Sequence, residues 1–285
     1  GVQTCALPIY LYSQIQAKKS MLCVGLDTDF SKMPAHIQKL AHEGEMAVKG
    51  EMLRGTARSL YEFNKAIVDA TAPHCIAYKP NLAFYECYGM DGMLALEKTV
   101  DYIRANYPEQ FLIADAKRGD IGNTAKMYAK TFFETMDFDA VTISPYMGSE
   151  TVTPFLEYPG KFAIVVALSS NKSSADFQMA KQDGKPLYQV VMEKMMSIST
   201  PDNMMFVVGA TKADKLAEIR KFCPDNFFLV PGVGAQGGSA EEVIAHGANT
   251  LGGLLINSSR GIIYASNGED FAEAAAHAAA VTANI

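Results

Sequence analysis

The stretch Phe111-Leu-Ile-Ala-Asp115-Ala-Lys117-Arg-Gly-Asp120-Ile121 opens on four apolar residues and closes on two carboxylates and two cations. An apolar run of this length, ended by charge and then by glycine, reads as a strand covered on both faces with a polar end. Seven other nearly continuous apolar runs, at 21–26, 75–79, 140–143, 162–168, 204–208, 227–230 and 253–256, join the one at 111–115. Between them lie stretches with helical periodicity, such as 91–106, 123–136, 213–222 and 239–246, and an alanine-rich tail at 272–280 suits a final covering helix. Strands alternating with helices eight times predict an α/β protein, a single (β/α)8 TIM barrel of roughly 250 residues. A six-stranded open sheet leaves two of these βα units without a place.

Composition narrows the function. The chain has 285 residues, 49% of them hydrophobic, and 25 Lys and Arg against 31 Asp and Glu. The resulting charge of −6 offers no broad basic surface for nucleic acid or an anionic membrane. The longest apolar run, 162–168, is far shorter than the roughly 20 residues of a membrane helix, so a cytoplasmic protein is expected. Five cysteines (5, 23, 75, 87 and 223) form no CxxC pair and read as reduced thiols, and five scattered histidines give no zinc spacing. Residues 1–9 lack an initiator Met and read as a tag, a truncation, a sequence-assembly artefact or a disordered segment, leaving 10–285 as one catalytic domain.

Asp115 and Lys117 stand two apart, so strand alternation sends both side chains to one side of the sheet, and Asp120 lies just beyond, in the loop opening the next helix. A second lysine, Lys79, ends the second strand in Ala77-Tyr-Lys79-Pro-Asn81. Taken alone, DxKxxD is as readily a structural ion-pair network. Charges gathered at the carboxyl ends of barrel strands are better explained by catalysis, because burying them is costly unless they are paired. After the seventh strand, Pro231-Gly-Val-Gly234-Ala-Gln236-Gly237-Gly238 precedes a helix, and glycines such as Gly234 and Gly237 let backbone amides approach a phosphate. Arg260 follows the eighth strand, where barrels commonly complete a phosphate site; a surface salt bridge is its alternative. Insertions at 34–58 and 171–185 follow the first and fifth strands and are candidate lids. Tyr146 and Met147, after the fourth strand, suit a pocket lining or plain packing.

Asp115, Lys117 and Asp120 match the DxKxxD motif of the orotidine monophosphate decarboxylase suprafamily, which this chain resembles over roughly residues 20–265. Cys23-Val-Gly-Leu-Asp27-Thr-Asp29, Tyr78-Lys-Pro-Asn-Leu-Ala-Phe84, Ala114-Asp-Ala-Lys-Arg-Gly-Asp-Ile-Gly-Asn123, the 231–238 loop and Asn257-Ser-Ser-Arg-Gly-Ile262 look like its longer bacterial branch. The resemblance implies a catalytic tetrad of Lys79, Asp115, Lys117 and Asp120. It also implies a homodimer in which Asp120 and Thr124 reach the partner's site, although Thr124 also suits a plain helix surface. It further implies that Asp27 binds ribose, that Asn81 helps position the site, and that Ser169 or Ser170, between which the sequence does not choose, meets the pyrimidine. Gln236 and Arg260 then take the 5'-phosphate of orotidine 5'-phosphate, the arginine as a bidentate fork.

The implied chemistry, loss of CO2 from C6 to give UMP, suits these groups. An ammonium at Lys117 both stabilises the C6 carbanion and protonates it, so neither cofactor nor metal is expected. A magnesium-dependent sugar-phosphate relative is the first alternative, but such relatives place a carboxylate where this chain has Lys79, and an ammonium is a poor Mg2+ ligand. A Schiff-base lysine is disfavoured because carboxylates flanking Lys117 stabilise its positive charge. A noncatalytic nucleotide-binding protein is the third reading.

Overall fold

A computed structural model of the chain describes residues 7–233 and 239–283. Eight strands, β1 Leu22–Leu26, β2 Ala77–Pro80, β3 Phe111–Arg118, β4 Ala140–Ile143, β5 Phe162–Leu168, β6 Met204–Val208, β7 Phe228–Pro231 and β8 Leu254–Ser258, form a closed parallel barrel in chain order. They fall within two residues of the apolar runs, except that β3 continues three residues past Asp115. Their residues are buried almost throughout, as strands covered on both faces must be.

The chain divides into two compact units. In the unit of Lys18–Ala116 and Ser258–Ile285, β1 pairs with β2 from Cys23↔Ala77 to Leu26↔Pro80, and β2 pairs with β3 at Ala77↔Phe111 and Tyr78↔Leu112. The helix Gly55–Thr71 buries Leu60, Phe63, Ile67 and Val68 at helical spacing, each contributing about 1.5–3 kcal/mol of apolar burial. Phe63 stacks on Phe271 of the C-terminal helix Phe271–Ala283 with ring centroids 5.4 Å apart. The 34–58 insertion folds into a short helix, Ala35–Lys39, and a hairpin of Met46–Val48 with Glu51–Leu53, and ends in the first turn of Gly55–Thr71. Leu53 is wholly buried, and the nearly buried Lys98 pairs with Glu51 of the hairpin at 3.6 Å, Glu97 at 3.3 Å and Asp101 at 3.7 Å.

In the unit of Gly1–Ala17 and Lys117–Asn257, β4 to β8 pair in sequence, with a register shift between Val207 and Val208 where β6 meets β5. Arg220, on the helix Ala213–Phe222, donates to the carbonyls of Gly247, Cys223, Pro224, Asn226 and Gly253, and its guanidinium lies 3.8 Å from the Phe228 ring centroid. Burial pulls its pKa down to about 10 although Cys223 and Asp225 oppose the shift. Ser239 caps the helix Ala240–Gly247 by accepting the Glu242 N–H. The helix expected at 123–136 is Gly122–Lys130 followed by a π-helical turn, Thr131–Thr135. The 171–185 insertion forms a turn, Lys172–Asp176, and a hairpin of Lys181–Gln182 with Lys185–Pro186.

One boundary needs correction. Residues 7–9, set apart with the first nine, are the first turn of a helix, Leu7–Lys18. Pro8, Leu11 and Ile15 form its buried stripe, and a proline in a first turn sacrifices no helical hydrogen bond. Among the described residues no helix is long and apolar enough to cross a membrane, and Cys23, Cys75, Cys87 and Cys223 form no disulfide.

Candidate active site

Two candidate residues of the first unit meet directly. Lys79 on β2 donates to Asp115 Oδ2 on the neighbouring β3 at 2.8 Å, and the two are only 3% and 8% exposed. Burial alone would lower the Lys79 pKa, but the Asp115 and Asp27 carboxylates outweigh it and hold the ammonium above the ordinary lysine range. The lysine is therefore a fixed positive charge at any physiological pH. Asn81 bridges to Asp115 through the backbone, and its side-chain oxygen accepts the Ala83 N–H at the start of the short helix Ala83–Glu86.

Asp27 directly follows β1, and its Oδ1 is buried without a hydrogen-bond partner among the described residues. A buried carboxylate oxygen left open costs free energy unless a donor arrives, so this atom is ready for a ligand hydroxyl. Arg260 opens the short helix Arg260–Ile263 after β8; it is exposed, and its guanidinium makes no ion pair or hydrogen bond among the described residues.

Lys117, Asp120, Thr124, Ser169 and Ser170 belong to the second unit. Lys117 is exposed at the end of β3 with φ 46°, so strand alternation does not govern where its side chain goes. Its N–H is received by Thr142 Oγ1 on β4 at 2.9 Å. Asp120 accepts the N–H of Ile121, the residue that precedes the helix Gly122–Lys130, and Thr124 is exposed on that helix. Ser169 is held by Gln178 of the 171–185 insertion, which accepts the Ser169 N–H at 2.7 Å and donates to its hydroxyl at 2.9 Å. Ser170, half-buried, accepts the Thr211 hydroxyl at its carbonyl. Gln178 also lines a cavity of about 200 Å3 with Ser144, Tyr146, Ala167, Phe177 and Tyr188. Tyr146 and Met147 are exposed, so packing does not account for them. Gly234, Gln236 and Gly237 lie outside the described residues.

Sequence reasoning missed the groups that hold the β1 end in place. Tyr264, four residues past Arg260, donates to the Asp27 carbonyl at 2.9 Å and accepts the Asp29 N–H at 2.7 Å. Burial pushes its pKa up, which keeps the hydroxyl a donor. Below it, Asn64 accepts from Thr28 at 2.6 Å and donates to Tyr85 and Thr99 at 3.0 Å, while Tyr85 donates to the Leu26 carbonyl. All four of these polar side chains are essentially inaccessible. A lone buried Asn on an amphipathic helix was the one available signal.

Comparison with known proteins identifies the family. Residues 20–275 match the family described as Orotidine 5'-phosphate decarboxylase / HUMPS family. The chain is 54% identical over 266 residues to the orotidine 5'-phosphate decarboxylase of Phocaeicola vulgatus, covering 93% of this chain and 92% of that protein. It is 55% identical over 270 residues to the protein of the same name from Bacteroides fragilis, covering 94% and 93%. The solved structure of Leishmania donovani OMP decarboxylase superposes with a TM-score of 0.75 at 34% identity, over 95% of this chain and 97% of that one. A (β/α)8 chain with the DxKxxD residues at the end of its third strand, matched over this length, belongs to the Orotidine 5'-phosphate decarboxylase / HUMPS family.

Proposed function

We propose that this chain decarboxylates orotidine 5'-phosphate to UMP and CO2, the closing step of UMP synthesis, as a cytoplasmic homodimer without a cofactor. The buried Lys79–Asp115 pair at the end of the DxKxxD strand is the observation that carries the reading. Breaking the bond from C6 to the carboxylate leaves its electron pair on C6, and the Lys117 ammonium delivers a proton there as CO2 departs. Fixed charges that need no reorganisation suit such a step, because the developing charge meets groups already oriented. The Asp27 oxygen, open among the described residues, takes a ribose hydroxyl, and the Arg260 guanidinium, without a partner among the described residues, takes the 5'-phosphate with Gln236 and the glycines Gly234 and Gly237.

Asn81 keeps the β2 end in register beside Lys79, and Ser169 or Ser170 meets the pyrimidine. Asp120 and Thr124 complete the site of a second copy. Support for that comes from the exposed Ile121 and Met127, which flank Thr124 and leave apolar surface for a partner to cover.

The test is turnover of orotidine 5'-phosphate by EDTA-treated protein, followed by the ultraviolet change on conversion to UMP, beside a Lys117→Ala variant. Metal-independent turnover lost in the variant is expected. Absence of turnover in the unmodified protein rejects the reaction, and near-normal turnover in the variant rejects the role of Lys117.

A further inference from the structure

Lys117 occupies a backbone conformation that strands avoid. Its φ of 46° lies in the left-handed region, where an L side chain crowds its own carbonyl, and such residues persist only where their surroundings hold them. The N–H of Lys117 goes to a side chain, the hydroxyl of Thr142, at 2.9 Å. Thr142 is 1% exposed and stands between Val141 and Ile143, both wholly buried and apolar, so the only polar group that position contributes beyond its backbone is this hydroxyl.

The next two residues are matched to Ser144, which directly follows β4. Ser144 donates its N–H to the Arg118 carbonyl at 2.8 Å, and Gly119 passes so close to Ser144 that a Cβ would stand 2.9 Å from the Ser144 carbonyl oxygen. Residues 117–119 are thus registered on 142–144 at three successive points. Only the first depends on a side chain, and it falls on the lysine itself.

We infer that Thr142 is the positioning residue for Lys117: its hydroxyl fixes the left-handed turn that sets where the ammonium is delivered. This rests on the proposed role of Lys117 as proton donor. Thr142 itself touches no reacting atom in this scheme, so its loss should affect the chemical step more than binding, since a small misplacement of a reacting group can cost up to about 100-fold in rate.

The experiment compares Thr142→Val, which keeps the shape and removes the hydroxyl, with Thr142→Ser, which keeps the hydroxyl. Lys117→Ala is the control, and kcat, KM and the Kd of UMP are measured for each. Thr142→Val is expected to lose about 10- to 100-fold in kcat with KM and UMP affinity within about twofold, and Thr142→Ser to stay near the unmodified protein. A Thr142→Val protein with kcat within twofold, or a Thr142→Ser protein as impaired as Thr142→Val, overturns the inference. If Thr142→Val does not fold, Thr142→Ala is read against Thr142→Ser by the same criteria. Full turnover in Lys117→Ala would overturn the role of Lys117 and this inference together, whereas a dead Lys117→Ala beside a fully active Thr142→Val overturns the positioning role alone.

Discussion

Replacing Asp115 with asparagine should cost this protein about 3 kcal/mol of folding stability. At the observed 2.8 Å, the attraction between Lys79 and Asp115 is about 6 kcal/mol for an effective dielectric constant of about 20. Part of that survives the substitution, because an amide oxygen still accepts a hydrogen bond and the Asp27 carboxylate still favours the ammonium. What remains is near the lower end of the roughly 3–5 kcal/mol measured when one partner of a buried pair is removed. At about 2 °C per kcal/mol for a chain of this size, the melting temperature should fall by about 6 °C. Circular dichroism melts at one fixed protein concentration provide the measurement, since self-association makes apparent stability vary with concentration. Replacing both partners by apolar groups of similar size, Lys79→Met with Asp115→Leu, should recover much of the loss because no buried charge of the pair is left behind. The sign with pH follows from Lys79 being held above its ordinary value. Its contribution is complete below about pH 10 and is lost only as pH rises through the folded-state value, so the effect should not vary between pH 6 and 9. An Asp115→Asn melt within about 1 °C of the unmodified protein, or a double variant less stable than both singles, would refute this account.

Arg220→Met should destabilise by about 2–4 kcal/mol in urea titrations, because five backbone carbonyls lose their donor at once; a change below 0.5 kcal/mol would show that water replaces the guanidinium. Asp69 accepts from Tyr102, Tyr107 and Lys65; although burial works to raise its pKa, those three donors together hold it below the usual carboxylate value. Its stabilisation is present above about pH 4 and fades as pH falls through the folded value, so Asp69→Asn should reduce the acid sensitivity of stability, measured as melting temperature between pH 5 and 3. Gly119→Ala should lower kcat, because the added methyl would meet the Ser144 carbonyl oxygen at 2.9 Å and displace the segment carrying Lys117; unchanged steady-state kinetics would argue that the backbone at Ser144 yields at no cost.

The barrel was legible because its strands are buried on both faces and so read as nearly continuous apolar runs, and the bounds of 140–143, 162–168 and 204–208 match the strands to the residue. The two small hairpins were not, for different reasons. Asp183-Gly184 is a recognisable two-residue turn with φ 51° and 83°, but the strands it joins are exposed and polar, so no alternation marks them. Lys49-Gly50 turns the same way, with φ 46° and 82°, but a lysine gives no such cue. In the site, the charged residues were readable because charge at a strand end is conspicuous, whereas Thr142 and Tyr264 were not. A threonine in a strand and a tyrosine beside a helix are ordinary choices, and only the position of their hydroxyls against Lys117 and Asp27 gives them meaning. The left-handed backbone of Lys117 had no cue at all, since such angles are usually announced by glycine or asparagine.

The hairpin held by Lys98 melts by its own rules. Apart from Leu53, its named attachments to the rest of its unit are ionic, with Glu51 half-exposed in the Lys98 cluster and Lys49 paired to Asp101 at 3.7 Å. Ionic strength therefore weakens this segment, while the apolar barrel strands do not respond in the same way. In concentrated salt the 46–53 ribbon should loosen before the barrel strands do. A protease would be expected to find it there first, and the cut should leave a nicked but still folded enzyme.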